Sequence, residues 1–111
     1  MCKVSKPSVK TVQKHTLFVN KQGMLMEEFG GNLQTNNDQP SKEYGAAIKE
    51  YGKLIQSYAQ ESLMYVNLWL MSDSYSINLY AQAKKEQLKA IDAYIQATRT
   101  YLQLISLRYN I

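Results

Sequence analysis

At 111 residues and 12.8 kDa the chain has room for one domain, and an apolar content of 45 % separates it from wholly disordered polymers. Thirteen Lys and Arg against nine Asp and Glu leave a net charge of +4. One histidine and one cysteine supply little for catalysis and nothing for an internal disulfide, and the longest apolar stretch, 63–71 with Asn67 inside it, is about half of a membrane span.

The opening Met1-Cys2-Lys3-Val4-Ser5-Lys6-Pro7 leads into no apolar segment and no small-residue cleavage site, so no secretory signal peptide is expected. Residues 1–25 hold five lysines and no acidic residue, a charge of +5, whereas positions 26–111 carry eight basic and nine acidic residues, a charge of −1. The β-branched Val4, Val9, Thr11, Val12, Thr16 and Val19, with Pro7, predict an extended basic arm over 1–28 rather than a helix. Within it, Thr16–Val19 and Met24–Met26 flank Asn20-Lys21-Gln22-Gly23 and could close as a small hairpin. Residues 29–40, from Gly30-Gly31-Asn32 to Gln39-Pro40, read as a flexible polar linker.

From Ser41, a suitable N-cap after Pro40, the pattern is helical to the end of the chain. All nine tyrosines lie beyond Pro40, and four recur every seven residues, as Tyr44-Gly45, Tyr51-Gly52, Tyr58-Ala59 and Tyr65-Val66. Residues 41–71 predict a first helix, polar at Lys42, Lys49, Lys53, Gln56 and Gln60 and apolar nearly all round from Leu63 to Met71. The short polar side chains of 72–76 favour a break. Residues 74–110 then predict a second amphipathic helix, near 50 Å long, with Gln82, Lys85, Lys89, Asp92, Gln96, Arg99 and Gln103 on one polar stripe. The fold expected is therefore all-α: a long antiparallel helical hairpin, coiled-coil-like, in 41–111, preceded by an extended basic N-terminal arm. One continuous rod of roughly 100 Å is the alternative.

Two helices cannot cover each other's apolar rows. If about eight large side chains stayed outside, more than about 10 kcal/mol of apolar burial would go unused, as much as the whole stability of many small domains. Self-association, or docking among other protein subunits, is the expected outcome, through Tyr51, Tyr58, Tyr65, Trp69, Leu88, Ile91, Tyr94, Ile95, Tyr101, Leu102 and Ile105. Lys3, Lys6, Lys10 and Lys14 are candidates for phosphate contacts, and so for salt-sensitive nucleic-acid binding without base readout. His15, Cys2 and the Glu27-Glu28 pair lack companions at ligand or catalytic spacing, and read as solvated or inert groups. Lys84, Lys85 and Lys89 form a basic patch softened by Glu86 and Asp92, in which Lys84, on the apolar row, either snorkels or meets an acidic residue of a partner. No catalytic residue, cofactor or metal is assigned, and the chain reads as non-enzymatic.

The Met1-Cys2 start, the basic N-terminal segment and the long Gln-, Ala- and Tyr-bearing helices resemble the small internal virion or ejection proteins of short-tailed bacteriophages. The residues from Ala93 to Arg108 are also similar to the long helices of outer-membrane efflux channels, although the β-barrel strands and signal peptide of that family are missing. The first resemblance implies a structural subunit of a virion near a portal or tail channel, while the lone cysteine fits a reducing interior such as cytoplasm. The function expected is a non-enzymatic assembly subunit. A small basic nucleic-acid-binding accessory protein with a helical dimerisation module is the alternative.

Overall fold

The computed structural model describes residues 4–72 and 76–109, and holds three α-helices: α1 (Lys6–Gln34), α2 (Gln39–Met71) and α3 (Ile77–Tyr109). The first of them corrects the sequence reading. Pro7 does not break α1 but sits in its opening turn, where its missing N–H has no partner to lose, and Ser5 caps the end by accepting from the Ser8 N–H at 3.3 Å. The β-branched residues that argue against a helix are its buried face: Val9, Val12 and Thr16 are closed in the core. Tertiary burial outweighs a propensity cost of a few tenths of a kcal/mol per residue. The extended arm, the hairpin at 16–26 and the linker at 29–40 are therefore replaced by helix through Gln34 and a turn of four residues, 35–38.

The N-cap of α2 is Asp38, three residues before the expected Ser41. Its carboxylate accepts from the Ser41 N–H at 3.1 Å and the Ser41 hydroxyl at 2.7 Å, and Pro40 lies in the first turn. Helix α2 ends at Met71 and α3 begins at Ile77, so the continuous rod is excluded; residues 73–75 of the expected break lie outside the described residues.

Helix α2 is the centre of the bundle. Its buried residues, Ser41, Gly45, Ile48, Gly52, Ile55, Ala59, Ser62, Val66 and Trp69, alternate in steps of four and three without a gap. The pairs Gly30–Gly45, Gly23–Ile55 and Thr16–Ser62 fall in reverse order along α1 and α2, as do Ser62–Ala83 and Ile48–Leu104 along α2 and α3. Three clusters stack along the axis: Val9, Val12, Val66, Trp69 and Ala83; then Ile55, Ala59, Ala90 and Ala93; then Leu33, Ile48 and Leu104. The result measures 56 × 23 × 16 Å.

The interior is built from small residues. A Cβ on Gly30 would stand 2.6 Å from the Gly45 carbonyl oxygen and 2.8 Å from Lys49 Cα, and one on Gly52 would stand 2.7 Å from Glu27 Cα. Backbone meets backbone there, so α1 and α2 approach closer than side chains would allow. In the seven-residue repeat it is the second member, Gly45, Gly52, Ala59 or Val66, that faces inward, while Tyr44, Tyr51, Tyr58 and Tyr65 are half-buried at its edge.

Candidate interaction surface

A small-residue seam decides where the large side chains go. On α3 the heptad Ala83, Ala90, Ala97 and Leu104 faces inward, and Tyr80, Gln87, Tyr94 and Tyr101 lie one step round, beside α1. The next positions, Ile91, Ile95 and Leu102, then point outward across the α1/α3 side of the bundle. From α1 the same side receives Phe18, Gln22, Leu25 and Phe29, and the Phe29 ring meets Tyr101 edge-on at 4.9 Å between centroids. Two shallow clefts of about 320 and 160 Å³ run between the helices, the first lined by Leu25, Phe29, Tyr94 and Tyr101, the second by Phe18, Ile91 and Tyr94. The surface carries much apolar area: Phe18 is 63 % exposed, Leu88 59 % and Leu102 55 %.

Most residues named from the sequence as an interface meet here. Leu88, Ile91, Tyr94, Ile95, Tyr101 and Leu102 are exposed along α3, and Ile105 is half-buried below them. Tyr51 and Tyr58 stand on another side, in a groove of about 970 Å³ between α2 and α3 whose wall includes Leu54, Lys89, Ala93, Gln96 and one flank of Leu88. The Lys89 ammonium lies 5.7 Å from the centre of the Tyr58 ring and pairs with Glu86 at 3.1 Å. Tyr65 packs against the cluster of Val9, Val12, Val66 and Trp69. Trp69 itself is 1 % exposed and fills the interior, so it cannot reach another molecule.

The lysines of the first segment are carried by a helix. Lys6, Lys10, Lys14 and Lys21 are exposed on its outer side, and none has an ion pair among the described residues; Lys3 and Cys2 lie outside them. His15 is exposed beside a small cleft with Ser8, Thr11, Tyr80, Lys84 and Gln87. Glu27 is not the solvated charge its sequence suggests, because it accepts a 2.6 Å hydrogen bond from Gln56 Nε2 on α2, while Glu28 stays exposed. Among the described residues no three His, Cys, Asp or Glu side chains are grouped as metal ligands. No described helix is long and apolar enough to cross a membrane.

Two polar features escaped the sequence reading. Inside the bundle Gln87 Nε2 donates to Thr16 Oγ1 at 3.1 Å and Ser62 Oγ donates to the Ala83 carbonyl at 2.7 Å. With the Ser62 proton so engaged, the 3.4 Å contact between Thr16 and Ser62 is a donation from Thr16, and one chain of hydrogen bonds ties the three helices. At the other end Arg108 donates to Ser41 Oγ and to Asp38 Oδ1, the latter at 3.4 Å. The Ser41 hydroxyl, the Ser41 N–H and Arg108 together hold the Asp38 carboxyl below its ordinary pKa of 3.8.

The fold and surface define a helical bundle with a large uncovered apolar side. No family model, curated protein or solved structure matches the chain.

Proposed function

We propose that the protein is a non-enzymatic assembly subunit: an antiparallel, coiled-coil-like three-helix bundle that associates through the outer faces of its amphipathic helices. The observation that carries this reading is the distribution of residue sizes. Glycine, alanine and serine fill much of the seam, whereas Phe18, Leu25, Leu88, Ile95 and Leu102 stand outside it. A contiguous uncharged surface of this kind is ordinarily covered by another protein surface. The setting that the sequence resembles is the interior of a short-tailed phage particle.

Light scattering on the purified protein tests the reading through its mass in solution. Ile95→Asp should return the chain to a monomer, whereas Gln96→Asp, on the α2/α3 side, should leave the mass unchanged. A monomer from the start, at every concentration, would remove the reading.

A second reading has its own support. The exposed lysines of α1 share one side without acidic partners among the described residues, a pattern that suits phosphates. Lys6→Gln, Lys10→Gln and Lys14→Gln together should abolish salt-sensitive retention on a DNA column while keeping the mass. Deleting residues 1–25 would not be informative, since Val9, Val12 and Thr16 belong to the core.

A further inference from the structure

The α1/α3 side has two charged rims, and their arrangement names its occupant. Outside Phe18 and Leu25, on the rim of α1, stand Lys21 and Glu28, one heptad apart. Outside Ile95 and Leu102, at the outer edge of α3 where the α1/α3 side meets the α2/α3 groove that Asp92 also lines, stand Asp92 and Arg99, again one heptad apart. All four are exposed, and none has an ion-pair partner among the described residues. Between the rims the surface of Phe18, Gln22, Leu25, Ile91, Ile95 and Leu102 carries no charge.

We infer that this side is the interface of a two-fold symmetric dimer, with the axis running across the helices at the level of Leu25 and Ile95. The inference rests on the assembly reading above and specifies its partner as a second copy of this chain. A two-fold interface must match itself, so each charge needs its opposite at the mirrored position along the same helix. Each rim meets that condition. Lys21 faces Glu28 of the partner subunit, and Asp92 faces Arg99 of the partner subunit.

One axis serves both rims. The midpoint of Lys21 and Glu28 falls at position 24.5 of α1 and that of Asp92 and Arg99 at 95.5 of α3, a difference of 71. The same difference of 71 relates Thr16 to Gln87, which are hydrogen-bonded across the bundle, and one of 72 relates Phe29 to Tyr101. The two midpoints therefore lie at one level of the bundle. The other face-to-face two-fold, with its axis along the helices, would set α1 against the partner's α3. It too would pair Lys21 with Asp92 of the partner subunit and Glu28 with Arg99 of the partner subunit, so the four rim charges satisfy either axis. It is excluded because it would set Lys14 against Lys85 of the partner subunit, two like charges.

The area is sufficient. Phe18, Leu25, Leu88, Ile91, Ile95 and Leu102, with the edges of Tyr94 and Tyr101, are 36–63 % exposed and present on the order of 700 Å² of apolar surface, near the roughly 800 Å² that each partner buries in a standard interface. The two clefts beside Tyr94 give the partner subunit's apolar side chains somewhere to seat.

Sedimentation equilibrium on the full chain, with Lys21→Glu, Glu28→Lys and the double variant Lys21→Glu/Glu28→Lys, tests this arrangement. Both positions are exposed, so helicity by circular dichroism should stay at the wild-type level. Each single variant sets like charges against each other at two symmetric places and should weaken the dimer roughly tenfold. The double variant restores opposite charges across the axis and should recover wild-type affinity. Recovery is specific to this axis, because the alternative two-fold would leave the carboxylate introduced by Lys21→Glu against Asp92 of the partner subunit. A dimer indifferent to the single variants, or one weakened by them and not rescued by the double, overturns this interface while the assembly reading stands. A wild-type chain that is monomeric throughout overturns both.

Discussion

Gly30 and Gly31 are neighbours in sequence with opposite duties. A methyl group at Gly30 meets the backbone of α2, which cannot turn aside as a side chain can, whereas a methyl group at Gly31 meets nothing within 4 Å. Gly30→Ala should therefore lower the unfolding free energy by about 1–3 kcal/mol through forced separation of the helices. Gly31→Ala should raise it by up to about 1 kcal/mol, the gain in helix propensity alone. Urea denaturation of the two variants reads the difference directly. At the α1–α2 turn, Asp38 offers a second test by pH. Its carboxyl titrates lower in the folded chain than its ordinary 3.8, so its contribution is present in full above about pH 4 and lost as pH falls through the lowered folded value. Thermal midpoints of wild type and Asp38→Asn should differ at pH 6 and converge in the acid range; a constant gap would show that the charge is not what Ser41 and Arg108 recognise.

At the scale of the helix, the buried chain Gln87–Thr16–Ser62 explains why three similar amphipathic rods adopt one register. Small side chains slide past one another with little change in packing, so a seam of Gly and Ala specifies position weakly. A hydrogen-bonded group that must find its partner specifies it strongly. Thr16→Val keeps the shape but removes the shorter of the two hydrogen bonds of Gln87 Nε2, leaving only the Val12 carbonyl at 3.4 Å, and takes away the donor to Ser62; it should cost about 1–2 kcal/mol. Adding Gln87→Leu removes the half-satisfied amide and should return part of the loss, a coupling of at least about 0.5 kcal/mol in a double-mutant cycle of denaturation midpoints. The seam also accounts for what could be read from the sequence. The helices at 41–71 and 74–110 were legible because an N-cap signal at Ser41, the seven-residue tyrosine repeat and a run without Gly or Pro from Lys53 onward favour helix, with one amphipathic period from 78 on. The structure places them at 39–71 and 77–109. Helix α1 was not legible, because Val9, Val12, Thr16, Gly23 and Gly30 are poor helix formers that make sense only against α2. Its signal was nevertheless there: Gly23 and Gly30 are seven apart, like Gly45, Gly52 and Ala59, and equal spacing of small residues in two segments marks a close crossing. Periodicity marked Leu88, Ile91, Ile95 and Leu102 as apolar, but not that they, rather than Ala83, Ala90 and Ala97, stand outward. The burial of Trp69 was not legible either, because only the third helix encloses it, and without that helix its position reads as surface.

For the molecule as a whole, the question is whether three helices suffice to fold alone. The third helix covers much of the surface that two would leave open, yet the interior it closes is thin: Trp69, Ile48, Ile55 and Leu104 are the largest side chains fully shut away. If the α1/α3 side is covered by a second copy, folding and association share one equilibrium, and stability must depend on protein concentration. For two chains of this length unfolding together, a tenfold increase in concentration should raise the thermal midpoint by about 3 °C. Ile95 is 43 % exposed, so Ile95→Asp leaves the bundle interior untouched and should fold with the same helicity while losing the concentration dependence. Gln96→Asp, on the α2/α3 side, should retain it. Calorimetric scans of the three proteins at several concentrations check the set, and a wild-type midpoint that does not move would mean that the small-residue core is stable without any companion.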